Sequence, residues 1–415
     1  MPHPDRDIRP RRAAARSEVE ARSNDHPMLR AAPLAAARAL LLGRVAPLPA
    51  TSVPLAAAHG RILASDVRAP RAVPAFDNSA MDGYAVRLAM MEPAGVGWRV
   101  PVSEVTPICT GQPVPRGVDA VVPLERVRVT GSWLEIDGAT QPGDHIRPAG
   151  EEFRAGEVAL SRGSLLSPAA LGLLSLLGCT MVDVVPAPRV AILVTGDEVV
   201  AAGSPLHQGQ VYDANGPLLG GLVAEAGGRL VAREHAPDDA ALIGAATSRL
   251  AADSDLVCTS GGASISSRDH MFATLAARGD VLVRELMIKP GRPTTLAVVS
   301  GTPVVSLPGN PFALLVGFEA IARPALLRLA GRQAVTREQR TIPAATDIVR
   351  AGGRFEFLPV RIELGSAGPL AWPLEHRGSA MLGGIAGSGY VALIPPEVGT
   401  VRAGEPLTVE RWSAD

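Results

Sequence analysis

The chain has almost no lysine and very little asparagine. Lys occurs once in 415 residues, at Lys289, and the other 39 of the 40 basic residues are Arg. Four Asn occur, and three of them, Asn78, Asn215 and Asn310, lie in turn-forming motifs. A lysine is a compact, rotatable charge, whereas arginine is a planar fork. The single retained lysine therefore predicts a position at which an anion is contacted as a point charge.

Cysteine and aromatic residues are also scarce. The three cysteines, Cys109, Cys179 and Cys258, have neither metal-site nor redox spacing, so we expect small buried side chains in a reducing compartment. The eight histidines are scattered and include no pair at i,i+4, so the sequence does not predict a zinc site. Aromatic residues make up 3% of the chain, so its cores must be built mainly from Ala, Val and Leu.

The chain lacks strong net charge and long apolar runs. A net charge of -1 makes nucleic acid an unexpected partner. The most apolar stretch, 169–185, is short for a membrane span and contains Asp183, so it predicts a core helix followed by a strand. Residues 1–27 are Arg-rich but lack the apolar run that a signal peptide contains. We expect a disordered tail and a cytoplasmic protein without a membrane partner.

The length and the pattern of apolar residues predict a multidomain α/β protein. One predicted helix ends at Gly43, and another begins at Ser167-Pro168. Strand-like segments lie between these two helices, and from Arg189 onward strands alternate with helices. The expected parts are a disordered tail (1–27), a helical connector (28–62 and 149–182), an inserted β domain (63–148), an α/β domain with a mostly parallel sheet (183–332) and a C-terminal β-barrel (338–412).

Glycine-rich turns follow three of the predicted strands, at residues 195–197, 260–262 and 308–310. Ligands of parallel sheets bind at the carboxyl ends of the strands. Asn310 stands at the expected cap of a helix and Pro311 at its first position. Turns of this kind present free N–H groups, so the pattern predicts an anion-binding edge.

Carboxylates lie near these turns, although they would repel a bound anion. A hard divalent cation such as Mg²⁺ reconciles the two, which predicts a phosphorylated substrate with Mg²⁺. For Asp197, Asp213 and Asp238 the alternative of a cap or turn residue stays open. For Asp77 and Asp82 we favour a functional role over a cap or turn role, because neither residue precedes an obvious helix.

Six motifs together resemble those of the molybdopterin molybdenumtransferases, the bacterial molybdenum insertases related to the E domain of gephyrin. They extend in the family's order over the chain from about residue 28. The motifs are Phe76-Asp77-Asn78-Ser79-Ala80-Met81-Asp82-Gly83-Tyr84-Ala85-Val86, Thr195-Gly196-Asp197-Glu198, Tyr212-Asp213-Ala214-Asn215, Ser260-Gly261-Gly262-Ala263-Ser264, Lys289-Pro290-Gly291-Arg292-Pro293 and Leu307-Pro308-Gly309-Asn310-Pro311.

The resemblance implies the four-part fold and a homodimer whose active sites are each built between subunits. It also implies a Mg²⁺-dependent transferase that cleaves adenylylated molybdopterin, transfers molybdate to the dithiolene sulfurs and releases AMP and molybdenum cofactor. Transient contacts with molybdopterin adenylyltransferase and with apo-molybdoenzymes follow from the same resemblance.

The resemblance also implies roles for individual residues. The catalytic acids would be Asp77, Asp82, Glu198, Asp238 and Asp269, of which Asp77, Asp82 and Asp269 would bind the metal. The substrate-binding residues would be Thr110, Thr195, Gly196, Asp197, Ser260, Gly261, Gly262, Lys289, Arg292, Pro308, Pro311 and Ser379.

Three positions depart from the family pattern. Ser267 replaces an acid before Asp269, Pro359 stands where an Arg is usual, and Arg292 stands where a Lys is usual. Arg361 is a candidate to replace the arginine lost at Pro359. Two other functions stay open: a relative that binds molybdopterin, finished cofactor or a partner protein without turnover, and a free-standing molybdopterin adenylyltransferase. The second leaves the first motif and the terminal domain unexplained.

Overall fold

A computed structural model describes residues 28–95, 97–262, 270–375 and 378–412. The chain divides into two compact units. The main unit comprises the described residues of Met1–Val53, Gly60–Ala64 and Asp183–Asp415, and the inserted unit comprises those of Pro54–His59 and Ser65–Val182. The finer domain boundaries expected from the sequence stay predictions.

A six-stranded sheet forms the centre of the main unit. Its strands are β1 (Arg189–Thr195), β2 (Arg229–Ala236), β3 (Leu256–Ser260), β4 (Asp280–Val283), β5 (Thr295–Val299) and β6 (Thr302–Leu307). They lie in the order β2-β1-β3-β6-β5-β4. The first four strands of that order run parallel, and β5 runs antiparallel to both of its neighbours, β6 and β4. The predicted mostly parallel sheet is confirmed.

Helices cover both faces of this sheet. Consecutive residues of β1 point to opposite faces, so Ile192 packs in one core with Leu219 and Leu326, while Leu193 packs in another with Ile243. The α-helices of the main unit are Leu34–Leu42, Asn215–Glu225, Ala240–Asp253, His270–Arg278, Pro311–Gly317, Arg323–Leu329 and Gly383–Ser388, with a π-helical turn at Phe318–Ala322. Among the described residues, no helix is long and apolar enough to cross a membrane.

The terminal sheet of the main unit is open, so the predicted β-barrel is wrong. Its strands lie in the order Ile288–Lys289, Phe355–Gly365, Tyr390–Ile394, Pro406–Arg411 and Gln339–Pro343, and Gly368–Pro373 also pairs with the second of these. A barrel would need its two edges to pair along their length. Between the described residues of these edges there is one isolated bridge, Ala344 to Ala371, and Pro343 and Pro373 cannot donate an N–H.

Short remaining strands complete the two units. In the main unit Ile62–Leu63 pairs with Val184 and Val185 of the segment Met181–Val185, Val199–Val200 pairs with Val211–Tyr212, and Ile348–Val349 pairs with Thr400–Val401. The other strands are Thr51–Pro54, Val67–Arg68, Asn78–Ser79, Gly83–Val86, Glu92–Ala94, Gly97–Pro101, Thr106–Ile108, Ala120–Pro123, Val127–Thr130, Trp133–Ile136, Ile146–Arg147 and Val158–Leu160.

The inserted unit is mostly β, with one α-helix, Pro168–Leu176, among its described residues. Ser167 accepts a hydrogen bond from the Ala170 amide at this helix start, as its cap position predicts. The unit also has short 3₁₀ turns at Leu55–Ala57, Leu88–Met90, Val102–Glu104 and Leu124–Arg126. Gly83–Val86 pairs with a strand on each side, and this pairing holds the first motif on a sheet.

The cysteines differ in environment. Cys258 is buried on β3, and burial raises the pKa of its thiol to about 12. Cys109 is exposed and Cys179 is half-buried, so the expectation that all three are buried is confirmed only at Cys258. Cys109 lies in the turn after Thr106–Ile108, where its amide donates to Gln112 Oε1 over 2.9 Å.

Candidate functional site

Three of the predicted turns meet at the carboxyl edge of the parallel strands. Thr195 ends β1, Ser260 ends β3 and Leu307 ends β6. In the sheet register Val194 lies beside Ser260, and Ser260 lies beside Leu307. The residues that follow, including the buried Pro308, therefore leave the sheet side by side.

The turn after β3 requires glycine. Gly261 has φ +88°, and a Cβ at this position would lie 2.2 Å from the Thr195 carbonyl oxygen. Gly262 also has a positive φ, +64°. Thr195 Oγ1 donates to the Ser260 carbonyl over 3.4 Å. The β1 and β3 turns are packed too closely for any side chain between them.

Asn215 joins two of the turns, and sequence reasoning missed it as a site residue. Its Nδ2 donates to Ser260 Oγ over 2.8 Å and to the Gly309 carbonyl over 2.7 Å. Its Oδ1 is buried without a partner among the described residues. The rarity of Asn in this chain was the signal that could have identified it.

The turn after β6 opens the helix Pro311–Gly317 with Asn310 at the cap position and Pro311 at the first position, as predicted. The Asn310 side chain does not cap this helix. Its Nδ2 donates to Ser379 Oγ over 3.0 Å, and the Ala313 amide donates to the Ser379 carbonyl over 3.0 Å. Ser379 is thus held on the first turn of the helix.

Acidic residues follow β1 and β2. Asp197 Oδ1 accepts a hydrogen bond from the Asp238 amide over 3.1 Å. Gly196 has φ +138°, and a Cβ there would lie 2.8 Å from Glu198 Oε2, so the Glu198 carboxylate lies over this glycine. The carboxylates of Asp197, Glu198 and Asp238 are exposed beside the turns.

Asp77, Asp82 and Thr110 lie in the inserted unit. Asp77 Oδ1 accepts from the Ala149 amide, and Asp82 Oδ1 accepts from the Thr110 amide, each over 2.7 Å. Both aspartates are exposed. Each carboxylate thus uses one oxygen to fix its orientation, and the second has no hydrogen-bond partner within the described ranges.

Lys289 and Arg292 both pair with glutamates. Lys289 Nζ lies 3.0 Å from Glu356 Oε1, and Arg292 Nε lies 2.8 Å from Glu285 Oε2. The side chains of the two cations are about half exposed, at 51% and 50%. Each cation is therefore already partnered and oriented, with further N–H groups facing outward. The contact of Lys289 with a substrate anion stays a prediction, and its partner within the protein is Glu356.

The loop that carries these cations lies against the helix Pro311–Gly317. A Cβ on Gly291 would come within 3.4 Å of the Ala313 carbonyl oxygen. Thr294 Oγ1 donates to the Gly291 carbonyl over 2.7 Å, which closes the loop. The same helix therefore touches both Ser379 and the loop between Lys289 and Arg292.

Other predicted positions are structural or lie outside the described residues. Asp213 accepts from the Gly216 amide and pairs with Arg233 over 2.7 Å, which agrees with the cap alternative. Asp269 and Ser267 lie outside the described residues. Among the residues that are described, no group of three His, Cys, Asp or Glu could hold a metal ion, and the metal set containing Asp269 stays a prediction.

Pro359, which stands where the family pattern usually has an Arg, is buried in the terminal sheet. Pro359 lies in the strand Phe355–Gly365, opposite Val391. Arg361 Nε donates to Glu363 Oε1 over 2.6 Å, and its guanidinium lies 5.4 Å from the Trp372 ring centroid. Arg361 is thus engaged by its own strand and its neighbour.

Three family models match the chain. Residues 32–178 match the MoeA N-terminal region (domain I and II), residues 191–328 match a probable molybdopterin binding domain, and residues 341–412 match the MoeA C-terminal region (domain IV).

Curated relatives and a solved structure are similar over most of their length. Molybdopterin molybdenumtransferase 2 of Mycobacterium tuberculosis is 36% identical over 384 residues, covering 86% of this chain and 94% of the relative. Molybdopterin molybdenumtransferase of Haemophilus influenzae is 32% identical over 374 residues, with 86% and 92% covered. The crystal structure of the molybdopterin biosynthesis MoeA protein from Pyrococcus horikoshii superposes with a TM-score of 0.77 at 29% identity, covering 93% of this chain and 100% of that one.

Proposed function

The chain belongs to the MoeA family of molybdopterin molybdenumtransferases, and from this premise we propose that it inserts molybdenum into adenylylated molybdopterin. The reaction is Mg²⁺-dependent, releases AMP and forms molybdenum cofactor. The substrates are adenylyl-molybdopterin and molybdate.

One observation carries the proposal: Asn215 ties the Ser260 turn to the Gly309 turn at the edge where β1, β3 and β6 end. A pyrophosphate needs several N–H donors held at fixed spacing, and glycine turns at strand ends supply them. We assign substrate binding to the residues of this edge, namely Thr195, Gly196, Asp197, Ser260, Gly261, Gly262, Pro308, Pro311 and Ser379, and also to Thr110.

The carboxylate oxygens of the proposed metal-binding acids are suitable ligands for a hard cation such as Mg²⁺. Asp77 and Asp82 each keep one carboxylate oxygen without a protein partner in the described ranges, after the other has accepted a backbone N–H. Mg²⁺ is commonly bound by one or two carboxylates together with substrate phosphates, so no all-protein cage is required. A bound Mg²⁺ would neutralise charge on the pyrophosphate. Asp269 is assigned to the same task by its motif.

Asp77, Asp82, Glu198 and Asp238 are the proposed catalytic acids, together with Asp269. Exposed carboxylates can position the phosphoanhydride and accept a proton from the attacking group. The Asp238 amide donates to Asp197 Oδ1, which orients the Asp197 carboxylate next to Asp238.

Lys289 and Arg292 are the proposed contacts for the molybdate oxyanion. Each is held by a glutamate whose side chain is mostly buried, at 12% exposed for Glu356 and 13% for Glu285. The glutamates fix the long side chains, and the outward N–H groups remain free to donate to an anion.

The proposed assembly is a homodimer in which each active site is built between subunits. Transient partners would be molybdopterin adenylyltransferase, which supplies the adenylylated substrate, and apo-molybdoenzymes, which receive the cofactor.

The test is AMP release from adenylylated molybdopterin in the presence of Mg²⁺ and molybdate. We expect Asp77→Asn to lower turnover by at least about a hundredfold. The oxygen of the Asn side chain can still accept the backbone N–H, but the negative charge that would bind the metal or accept a proton is lost. Omitting Mg²⁺ should have a similar effect on the wild type.

Asp66→Asn is the matched control. Asp66 is exposed in the same unit and its Oδ1 also accepts one backbone N–H, from Arg162 over 2.8 Å. Asp66→Asn should keep turnover. Tight binding of the substrate by the wild type without any AMP would instead support the alternative of a binding protein without turnover.

A further inference from the structure

A pocket of the main unit lies between the helix Leu34–Leu42 and the terminal sheet. Its volume is about 430 Å³, within the range of small-molecule sites. It opens beside the start of the helix Leu34–Leu42, with the turn Phe318–Ala322 and strands of the terminal sheet as its other walls. None of the residues assigned to the molybdopterin site lines it.

Aromatic side chains form one wall of this pocket. The ring centroids of Phe355 and Phe357 are 5.2 Å apart, and those of Phe357 and Trp412 are 5.6 Å apart. Leu393 also lines the pocket. Phe357, Leu393 and Trp412 also pack in the core of the main unit, so this wall is a rigid apolar surface against which the flat body of a ligand could lie.

Most charged groups around the pocket are already matched. Arg337 is hydrogen-bonded to Glu319 over 2.8 and 2.9 Å and to Glu225 over 2.7 Å. Glu410 accepts from Trp412 Nε1 over 2.9 Å and from Gln339 Nε2 over 3.0 Å. These groups form a satisfied frame around the aromatic wall.

Arg38 is the exception. Its Nε donates to the Ala320 carbonyl over 3.0 Å, but it has no carboxylate within ion-pair distance in the part of the chain that the structure describes. Burial lowers the pKa of its guanidinium, while the more distant Glu410 raises it. A partly desolvated cation with two terminal nitrogens available is a strong point of attraction for an anion.

The helix that carries Arg38 adds to this attraction. Leu34 and Ala35 of its first turn line the pocket, and its cap residue, Pro33, makes no side-chain cap hydrogen bond. The positive end of the helix therefore faces the same space as a guanidinium located one turn further along.

We propose that this pocket binds a small organic monocarboxylate whose body is a ring or a fused ring. The carboxylate would lie against Arg38 and the helix start, and the body against the aromatic wall. A dianionic phosphate fits less well, because Glu410 is close enough to influence Arg38 and repels a second negative charge.

Calorimetric titration of the full chain with naphthoate, compared with the uncharged naphthamide of nearly the same shape, tests the proposal. Naphthoate should bind at least about tenfold more tightly than naphthamide. Arg38→Gln should remove most of that difference and leave naphthamide binding unchanged. Its amide can still donate to Ala320, which limits damage to the fold.

Arg249→Gln is the control, since Arg249 is exposed on another helix and, in the described ranges, its ion-pair partner is Glu234. It should bind naphthoate like the wild type. As a second variant, Leu393→Trp should fill the pocket and abolish binding of both compounds.

Equal affinity for the two compounds, no measurable binding of either, or undiminished naphthoate binding in Arg38→Gln would each overturn the proposal. So would naphthoate binding that weakens as protein concentration rises, because the pocket would then be covered by a second copy of the chain. No substrate turnover enters these measurements, so their outcome is separate from that of the AMP-release test.

Discussion

At the scale of single residues, Gly261 illustrates how much the site depends on the absence of a side chain. It has the positive φ that favours glycine, and its neighbour Thr195 lies where a Cβ would go. These two requirements can be separated experimentally, because Gly203 has the same φ of +88° and open space around it.

We expect Gly203→Ala to lower the free energy of unfolding by about 1–2 kcal/mol, the cost of the left-handed backbone alone. Gly261→Ala should cost at least about 2 kcal/mol more, because the Thr195 carbonyl must move. Urea unfolding of the two variants gives both values. Equal costs would mean that the turn yields easily and that the close contact between Thr195 and Gly261 does not matter.

Lys289 provides a second prediction at this scale. Lys289→Arg preserves the positive charge opposite Glu356 and should change the free energy of unfolding by less than about 0.5 kcal/mol. The planar guanidinium replaces a rotatable ammonium, so the molybdate concentration giving half-maximal AMP release should rise about tenfold. The same molybdate dependence in variant and wild type would show that the rarity of lysine carries no functional meaning.

At the scale of secondary structure, local chemistry determined what could be predicted. The helix Leu34–Leu42 and the start of Pro311–Gly317 were predictable because caps and breakers lie next to the elements they bound. Asn310 was predicted to cap its helix, but its side chain bonds to Ser379, which is distant in sequence. Whether the terminal sheet closes into a barrel likewise depends on pairing between edge strands that are distant in sequence, so local patterns could not predict that it stays open.

The neighbouring residues Asp238 and Asp239 separate a site role from a helix role. Asp239 caps the helix Ala240–Asp253, its Oδ1 accepting from the Ala241 amide over 2.8 Å and the Leu242 amide over 2.9 Å. The Asp238 side chain has no such task in the described structure, although its amide contacts Asp197.

Asp239→Ala should therefore lower the free energy of unfolding by about 1 kcal/mol with turnover retained. Asp238→Ala should do the reverse: stability within about 0.5 kcal/mol of wild type and a clear loss of AMP release. Thermal unfolding and the AMP assay on both variants provide the comparison. Full turnover in Asp238→Ala would remove Asp238 from the catalytic set.

At the scale of the whole molecule, the chain leaves the main unit and returns to it, so the two groups of proposed catalytic acids belong to different units. Asp77 and Asp82 lie in the inserted unit, and Glu198 and Asp238 in the main unit. Sequence order alone gives no information on whether one protomer supplies both groups to a given site. The family resemblance predicts that two protomers do.

Mixing inactive variants distinguishes these arrangements. If each active site combines residues of both protomers, a hybrid of Asp77→Asn and Asp238→Asn has one site with both defects and one intact site. Random exchange makes about half of the dimers hybrid, so about a quarter of wild-type AMP release should return. Asp77→Asn mixed with Asp82→Asn is the control: these residues share one motif, every site in the hybrid keeps a defect, and no activity should return. Sites contained within single protomers would give no recovery in either mixture, because each protomer would carry its own defect wherever its partner came from.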